Sequence, residues 1–219
     1  FISTYKDNKF LPKELVKEIE RLKERDPDYW RVYGEGQRAV FSERQIFRDW
    51  NYIPYKDFPE FDDYTIGVDF GYSMDSCAIV KVAKQNDKLY VHELLYKKGM
   101  TNRDIAKFLK NNKLNDTLTY CDSAEPKSIE ELRQMDIWAK PAIKGQGSIN
   151  AGISLLKEFE IIGSIESKNL QKEQQSYLWD ELKDGTIINK PVDKNNHLID
   201  ALRYAVYSKY KNRNDFFVL

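Results

Sequence analysis

Residues 64–75 read YTIGVDFGYSMD, and the prediction of the fold starts from this stretch. Apolar residues alternate with smaller or polar ones up to Phe70, which is the two-residue period of a β-strand. Gly71 follows, and glycine lets the backbone turn where a side chain would clash. The next apolar run, residues 77–83, has the composition of a second strand. The two segments are therefore predicted to pair as a hairpin.

Asp69 lies near the end of the first of these strands, among residues that the pattern predicts to be buried. A buried carboxylate is costly unless a cation or several hydrogen-bond donors lie close to it. Asp69 is therefore a candidate functional residue, and its partners must come from elsewhere in the chain.

The composition predicts a folded protein with reduced thiols and no net charge. Of 219 residues, 41% are hydrophobic and 13% aromatic, enough for one core and an appendage. The 35 basic and 35 acidic residues cancel, so binding of nucleic acid would need a local basic patch. Cys77 and Cys121 belong to no cluster with zinc-ligand spacing. The sequence contains neither an apolar run of membrane-spanning length nor a visible signal peptide.

The chain begins with Phe1 and is interpreted as a fragment of a longer protein. Residues 1–60 are predicted to be a linker segment, with a helical pattern at residues 11–26 followed by many aromatic residues. Pro54, Pro59 and an acidic cluster mark its end. Residues 61–219 are predicted to form the main domain.

The main domain alternates predicted strands and helices. Strands are predicted at residues 64–70, 77–83, 89–95, 117–121 and 137–143, with a shorter apolar segment at 161–165. Helices are predicted to begin near Thr101, Pro126 and Ser148, and the last covers residues 196–211. Residues 170–190 are predicted to contain a helix and a hairpin that turns at Asp184-Gly185. This order is typical of an α/β domain with a mixed sheet covered by helices.

Asp122 ends the fourth predicted strand, as Asp69 nearly ends the first. Carboxylates at the same edge of a sheet could share a site, but an isolated Asp at a strand-to-helix junction more often only begins the turn before the helix.

Asp200 lies in the last predicted helix, which is apolar around most of its circumference and therefore predicted to be buried. His197 and Tyr204 share its face, whereas Arg203 could form an ion pair with it. Three aspartates brought together would repel one another without a cation, and oxygen ligands suit Mg²⁺ or Mn²⁺. This repulsion predicts that Asp200→Asn leaves the metal-free protein at least as stable.

Four segments resemble the nuclease domain of the large terminase subunit of tailed bacteriophages. They are VDFGYS, YCDSAEPKSIEELR, KPAIKGQGSINAGISLLK and PVDKNNHLIDALRYAVY, in the family's order between residues 64 and 210. The resemblance implies an RNase H-like mixed sheet of about five main strands with helices on both faces. It also implies a divalent-metal-dependent DNA endonuclease that cuts concatemeric viral DNA during packaging.

The same resemblance extends to partners and to residues 1–60, which resemble the segment that joins this domain to an ATPase motor. Because the motor is missing, ATP hydrolysis is not expected of this chain. The implied partners are double-stranded DNA, the motor domain, the small terminase subunit and the portal of the procapsid, in the host bacterial cytoplasm and without a membrane.

Carried over by motif, Asp69, Asp122 and Asp200 are the three metal-binding acids. Two cations about 4 Å apart could activate water and stabilise the leaving oxygen of a phosphodiester. Asp69 is expected to bridge them, with Asp122 and Asp200 each holding one. His197 could orient water or contact the phosphate, or be structural.

Several other charged residues have weaker signals. Lysines flanking Gly-rich or polar loops could line the DNA path, although scattered lysines are usually solvated surface. They are Lys140, Lys144, Lys168 and Lys172. Three acids could serve as outer ligands, although such residues are more often turn or cap residues. They are Asp75, Glu125 and Asp193.

Two alternatives remain open from the sequence. One is an actin-like or sugar-kinase-type ATPase, which also uses a strand–Asp–x–Gly turn. Such an ATPase needs further Gly-rich phosphate loops, and residues 145–147 are the only candidate. The sequence also contains no GxxxxGK[ST] motif. A non-catalytic docking module could use the acids to bind a stabilising metal.

Overall fold

The computed structural model describes residues 5, 10–12, 16–17, 20–21, 30, 43–71 and 75–211. Most of the helix predicted at residues 11–26 and most of the aromatic-rich segment after it lie outside the described residues. Within the described part of the chain, no helix is long and apolar enough to cross a membrane.

A mixed seven-stranded sheet forms the centre of the domain, in the order β1-β7-β4-β3-β2-β5-β6. Its strands are β1 (Asn51–Ile53), β2 (Tyr64–Asp69), β3 (Cys77–Gln85), β4 (Lys88–Lys97), β5 (Thr119–Cys121), β6 (Ala139–Pro141) and β7 (Glu160–Ser164). The pairs β2–β3 and β3–β4 are antiparallel, which confirms the predicted hairpin, and all other pairs are parallel. The carboxyl ends of β2, β5 and β6 therefore lie at the same edge.

Within residues 43–211, five α-helices follow the sheet strands or connect them. They are α1 (Asn102–Asn111), α2 (Pro126–Gln134), α3 (Ser148–Lys157), α4 (Lys168–Ser176) and α5 (His197–Tyr210). A capping box of Thr101 and Asp104 begins α1, and Pro126 occupies the first turn of α2, where its missing N–H costs nothing. The predicted hairpin is present as β8 (Trp179–Glu181) and β9 (Ile187–Pro191), turning at Gly185 with a φ of 86°.

Two hydrophobic cores cover the two faces of the sheet. One contains apolar residues of α3, α4 and α5 packed on β3, β4 and β7. The other contains residues of α1 and α2 packed on β2, β3 and β5, and includes both free cysteines, Cys77 and Cys121. This confirms the predicted α/β domain with a sheet flanked by helices on both faces.

The sheet is wider than the five main strands expected, because β1 and β7 extend one edge. The strands β5 and β6 are shorter than predicted. Thr117 already belongs to a turn, its N–H donating to the Leu114 carbonyl. The division between a linker at residues 1–60 and a domain at 61–219 stays a prediction, although Ile46 and Phe47 pack in the domain core and Asn51–Ile53 pair with β7.

Candidate active site

Asp69 and Asp122 lie side by side at one edge of the sheet. Val68 of β2 is in register with Cys121 of β5 in a parallel pair, so the residues that follow them are neighbours. The Asp122 N–H donates to the Val68 carbonyl at 3.1 Å, which continues the pairing by one residue. The expectation that the two acids share an edge is confirmed.

Helix α5 lies on the sheet face that Asp69 shares with Gly67, since alternate residues of a strand point to the same face. Nine of its fourteen residues are buried, as its apolar sequence predicted. Its His197 Nδ1 lies 2.9 Å from Asp69 Oδ2, and its Tyr204 hydroxyl donates to Asp122 Oδ2 at 3.2 Å. The final helix therefore contacts both strand-end acids.

Asp69 is 8% exposed, and the pKa of its carboxyl lies above the ordinary value of an aspartate. Burial raises the pKa of its carboxyl to about 6, opposed by the hydrogen bond with His197. The negative charges of Asp200 and Asp122 raise this pKa further. The same hydrogen bond raises the pKa of His197 above its ordinary value. Asp122 and Asp200 are therefore both close enough to Asp69 to influence its ionisation.

Asp122 is neutralised by Lys144, whose ammonium donates to Asp122 Oδ1. Burial by itself would raise the pKa of the Asp122 carboxyl, but the bonds from Lys144 and the Ala124 N–H lower it below its ordinary value. The ammonium also lies 4.8 Å from the centre of the Tyr204 ring.

Asp200 forms an ion pair with Arg203 on the same helix, which was one alternative left open by the sequence. Arg203 Nη2 and Nε donate to Asp200 Oδ1 at 2.9 and 3.3 Å. Burial raises the pKa of the Asp200 carboxyl, although the Arg203 charge opposes this shift. Arg203 itself is 3% exposed, so the pair is largely shielded from water.

Each of the three acids therefore has its own polar or positive partner: His197, Lys144 or Arg203. Among the residues that the structure describes, no three His, Cys, Asp or Glu side chains converge closely enough to hold one metal ion together. The joint ligand set thus stays a prediction. The donor chemistry fits a hard divalent cation, since Asp69 and Asp122 lie at adjacent strand ends and carboxylate oxygens are the ligands that such a cation prefers.

The four predicted DNA-contacting lysines lie in different places. Lys144 is at the site, whereas Lys140 is the exposed middle residue of β6, near the ring of Trp138. Lys168 and Lys172 are exposed on α4 and do not line the cavity beside Asp200.

The three candidate outer acids also differ. Asp75 Oδ1 lies 3.9 Å from His197 Nε2 and is the nearest of them to the imidazole. Glu125 is the exposed N-cap residue of α2 and makes no side-chain cap bond. Asp193 accepts a hydrogen bond from Asn196 at 3.4 Å and lines the cavity beside Asp200.

A cavity of about 540 Å³ opens beside Asp200, between the start of α3, the β8–β9 hairpin and α5. Its polar lining residues include Lys144, Asn150, Lys190, Asn196 and Arg203. Sequence reasoning missed Lys190, because a single lysine in a polar hairpin has no distinguishing pattern. It also missed Glu173, which the structure buries beneath the start of α5, because a single glutamate in a polar helix has no distinguishing pattern either.

Comparison with known proteins gives consistent relatives. The family described as "Terminase RNAseH like domain" matches residues 69–208, and the family described as "Phage terminase large subunit" matches residues 1–37. The terminase large subunit of Bacillus phage SPP1 is 32% identical over 93% of this chain and 50% of its own length. The PBSX phage terminase large subunit of Bacillus subtilis is 30% identical over 93% and 49%.

Solved structures show the same fold. The large terminase nuclease domain of bacteriophage SPP1, determined with bound Mn, has a TM-score of 0.67 at 27% identity, covering 78% of this chain and 98% of that domain. The large terminase of a thermophilic bacteriophage, solved in complex with ATP-gamma-S, shares the fold, with a TM-score of 0.62 at 24% identity over 94% of this chain and 54% of that one. The chain spans about half the length of the curated relatives it matches. Given the match over residues 69–208, the chain belongs to the terminase RNase H-like domain family of phage large terminase subunits.

Proposed function

We propose that this chain is the DNA endonuclease domain of a phage packaging terminase and that it cuts concatemeric viral DNA by divalent-metal-dependent phosphodiester hydrolysis. The observation that carries the proposal is the pairing of Asp69 with Asp122 at the ends of adjacent parallel strands, under a helix that contributes Asp200 and His197. A relative that is 27% identical has been solved with bound Mn, which supports Mn²⁺ or Mg²⁺ as the cofactor here.

In this proposal the carboxylates of Asp69, Asp122 and Asp200 would hold the divalent cations. Bound cations would supply a water of lowered pKa and charge stabilisation for the leaving oxygen. Tyr204 keeps the Asp122 carboxylate oriented, and Arg203 does the same for Asp200. Lys144 supplies the positive charge that Asp122 needs when no cation is present.

His197 is proposed to hold Asp69 in place through Nδ1 and to face water or a phosphate oxygen through Nε2. The separation of 2.9 Å between Nδ1 and Asp69 Oδ2 supports the first role. Asp75, which is exposed, lies 3.9 Å from Nε2, too far for a hydrogen bond, which leaves that nitrogen available to a substrate.

The DNA backbone is proposed to pass along the cavity beside Asp200, where Lys144 and Lys190 line the wall. Cleavage should be largely independent of sequence, because contacts to the phosphate backbone carry no base information. In the intact terminase, the further proposed partners are the ATPase motor domain, the small subunit and the portal, in the host cytoplasm.

A plasmid cleavage assay tests the proposal directly. The 219-residue chain is incubated with supercoiled plasmid and Mn²⁺, Mg²⁺ or EDTA, together with the Asp69→Asn and Asp122→Asn variants. We expect nicking and linearisation with metal, none with EDTA, and at least a roughly hundredfold lower rate in both variants, equivalent to about 3 kcal/mol in barrier height. Intact plasmid at every metal concentration would refute the nuclease assignment.

The same samples separate the alternatives. Stabilisation by Mn²⁺ with intact plasmid would favour a metal-stabilised docking module. Thermal stabilisation by ATP or ADP, with no effect of Mn²⁺ alone, would favour an actin-like or sugar-kinase-type ATPase.

A further inference from the structure

Glu173 of α4 is a buried acid for which the chemistry proposed above has no use. It is 3% exposed, and its Oε2 accepts hydrogen bonds from the backbone N–H groups of Leu198 and Ile199 at 2.7 and 3.1 Å. Its Oε1 makes no hydrogen bond that meets ordinary geometry. These two N–H groups belong to the residues between His197 and Asp200, so Glu173 holds the turn that carries both side chains.

Helix α5 does not supply this cap from its own sequence. Asn196 occupies the N-cap position but makes no side-chain bond to the first turn, and its amide donates to Asp193 instead. The free N–H groups at a helix start need acceptors, and a carboxylate there also interacts favourably with the helix dipole. The start of α5 is therefore fixed by a residue from another helix.

Helix α4, in turn, is held to the sheet in the same way. Glu93 of β4 accepts from the Asn169 and Leu170 N–H groups through Oε2 at 3.0 and 3.1 Å, and from the Asn169 amide through Oε1 at 2.6 Å. Two carboxylates thus connect the sheet to α4 and α4 to α5. The sheet that fixes α4 is the one that carries Asp69.

We infer that Glu173 is a positioning residue for the nuclease site, setting the place of His197 and Asp200 relative to Asp69 by its reach to the start of α5. The inference rests on the proposed function. Its physical basis is that metal ligands and reacting groups must be held to a fraction of an ångström, so a shift of α5 along its axis costs catalysis before it costs folding.

Two substitutions separate the effect of side-chain length at Glu173 from the effect of its charge. Glu173→Gln keeps the length of the side chain and an oxygen that can accept from the Leu198 and Ile199 N–H groups. Glu173→Asp keeps the charge but is one methylene shorter. We expect single-turnover cleavage at saturating DNA and Mn²⁺ to stay within about threefold of wild type in Glu173→Gln and to fall by about tenfold or more in Glu173→Asp.

A second readout does not depend on cleavage. Calorimetric titration of Mn²⁺ without DNA should give a dissociation constant near that of wild type for Glu173→Gln and about tenfold weaker for Glu173→Asp, because Asp200 is displaced. DNA affinity in EDTA should be unchanged in both variants, since Glu173 is buried.

Asp104→Asn is the matched control, because Asp104 caps α1, a helix that contributes no proposed site residue. It should lower the melting temperature without changing the cleavage rate or Mn²⁺ affinity below that temperature. If Glu173→Asp does not fold, Glu93→Gln and Glu93→Asp make the same comparison at the start of α4. We again expect faster cleavage in the Gln variant than in the Asp variant.

Equal rates in Glu173→Gln and Glu173→Asp, or the reverse order, would overturn the inference while wild-type cleavage remained. Absence of cleavage by the wild-type chain would instead count against the proposed function, and Mn²⁺ affinities would then still report whether Glu173 positions Asp200.

Discussion

Gly67 of β2 lies directly beneath the Ala201 carbonyl of α5, so close that a methyl group at Gly67 would be 1.9 Å from that oxygen and 3.2 Å from the Ala205 Cβ. The strand and the helix can make this approach only where the strand has no side chain. Asp69 follows two residues later on the same face, and Asp200 precedes Ala201. The contact therefore determines how near the acid of the helix comes to the acid of the strand.

Gly67→Ala should move α5 away from the sheet and reduce both stability and cleavage. We expect a loss of about 2 to 3 kcal/mol in unfolding free energy, typical of overpacking in a core, measured by urea denaturation. Cleavage should fall by about a hundredfold, because displacement of α5 misplaces Asp200 and His197.

Gly145→Ala is the control for stability, since nothing lies within 4 Å of the position that its methyl group would occupy. Its unfolding free energy should stay within about 0.5 kcal/mol of wild type. Wild-type stability in Gly67→Ala would show that α5 can shift at no cost.

Asp200→Ala should destabilise the metal-free protein by about 3 kcal/mol, because it leaves Arg203 buried without its ion-pair partner. Asp200→Asn should lose less, about 1 kcal/mol, since its amide oxygen can still accept from the guanidinium. The buried pair thus predicts a loss of stability where acid repulsion alone predicts none. Urea unfolding in EDTA measures both values.

Glu130→Ala provides the comparison, because Glu130 and Arg133 have the same spacing of three residues on the surface of α2. We expect a change below about 0.5 kcal/mol there. An Asp200→Ala variant as stable as Glu130→Ala would mean that Arg203 finds another partner.

Lys190→Gln should reduce the salt dependence of DNA binding. Lys190 is exposed, lines the cavity beside Asp200 and forms no ion pair within the described ranges. Loss of one phosphate contact should lower the slope of log affinity against log salt by about one. Fluorescence anisotropy with a labelled duplex in EDTA measures the slope.

Lys168→Gln is the matched variant on α4, away from this cavity, and should keep the wild-type slope. A change with Lys168→Gln and none with Lys190→Gln would place the DNA on the α4 side instead.

Glu173 should make the metal-free protein less stable as the pH rises from about 4.5 to about 7. Burial raises the pKa of its carboxyl to about 7. Hydrogen bonds from the backbone of α5 and from the Tyr96 hydroxyl, together with the charge of His197, lower this pKa but do not cancel the effect of burial. In this window the folded state binds more protons than the unfolded state, so unfolding free energy falls with pH, by about 3 kcal/mol at most. Glu173→Gln should remove this part of the slope.

Urea unfolding at a series of pH values gives the difference between wild type and Glu173→Gln. Glu125→Gln, at the exposed N-cap of α2, should follow the wild-type curve. A Glu173→Gln curve parallel to wild type from pH 4.5 to 7 would show that Glu173 is ionised throughout.

Much of the fold could be predicted from local patterns. The alternation in residues 64–70 predicted β2, and the apolar run after Asp75 predicted β3, because one strand buried on both faces needs apolar residues at nearly every position. The short strands β5 and β6 were predicted too long, since apolar residues in the adjoining turns continue the pattern. Strand β1 was not predicted, because three residues that pair only at an edge have no period.

The sequence by itself determined the α/β class and the family, because these depend on local pattern and on long motifs, and the same motifs predicted the three acids. The tertiary structure alone decided that Lys144 neutralises Asp122, that Arg203 is buried against Asp200, and that Glu173 caps α5. The Lys144 contact joins residues 22 positions apart in the chain. The burial of Arg203 depends on how α5 packs on the sheet, and the Glu173 contact depends on how α4 packs on α5. Packing of this kind is set by shape at close contacts such as Gly67 and Ala201, which no single stretch of sequence encodes.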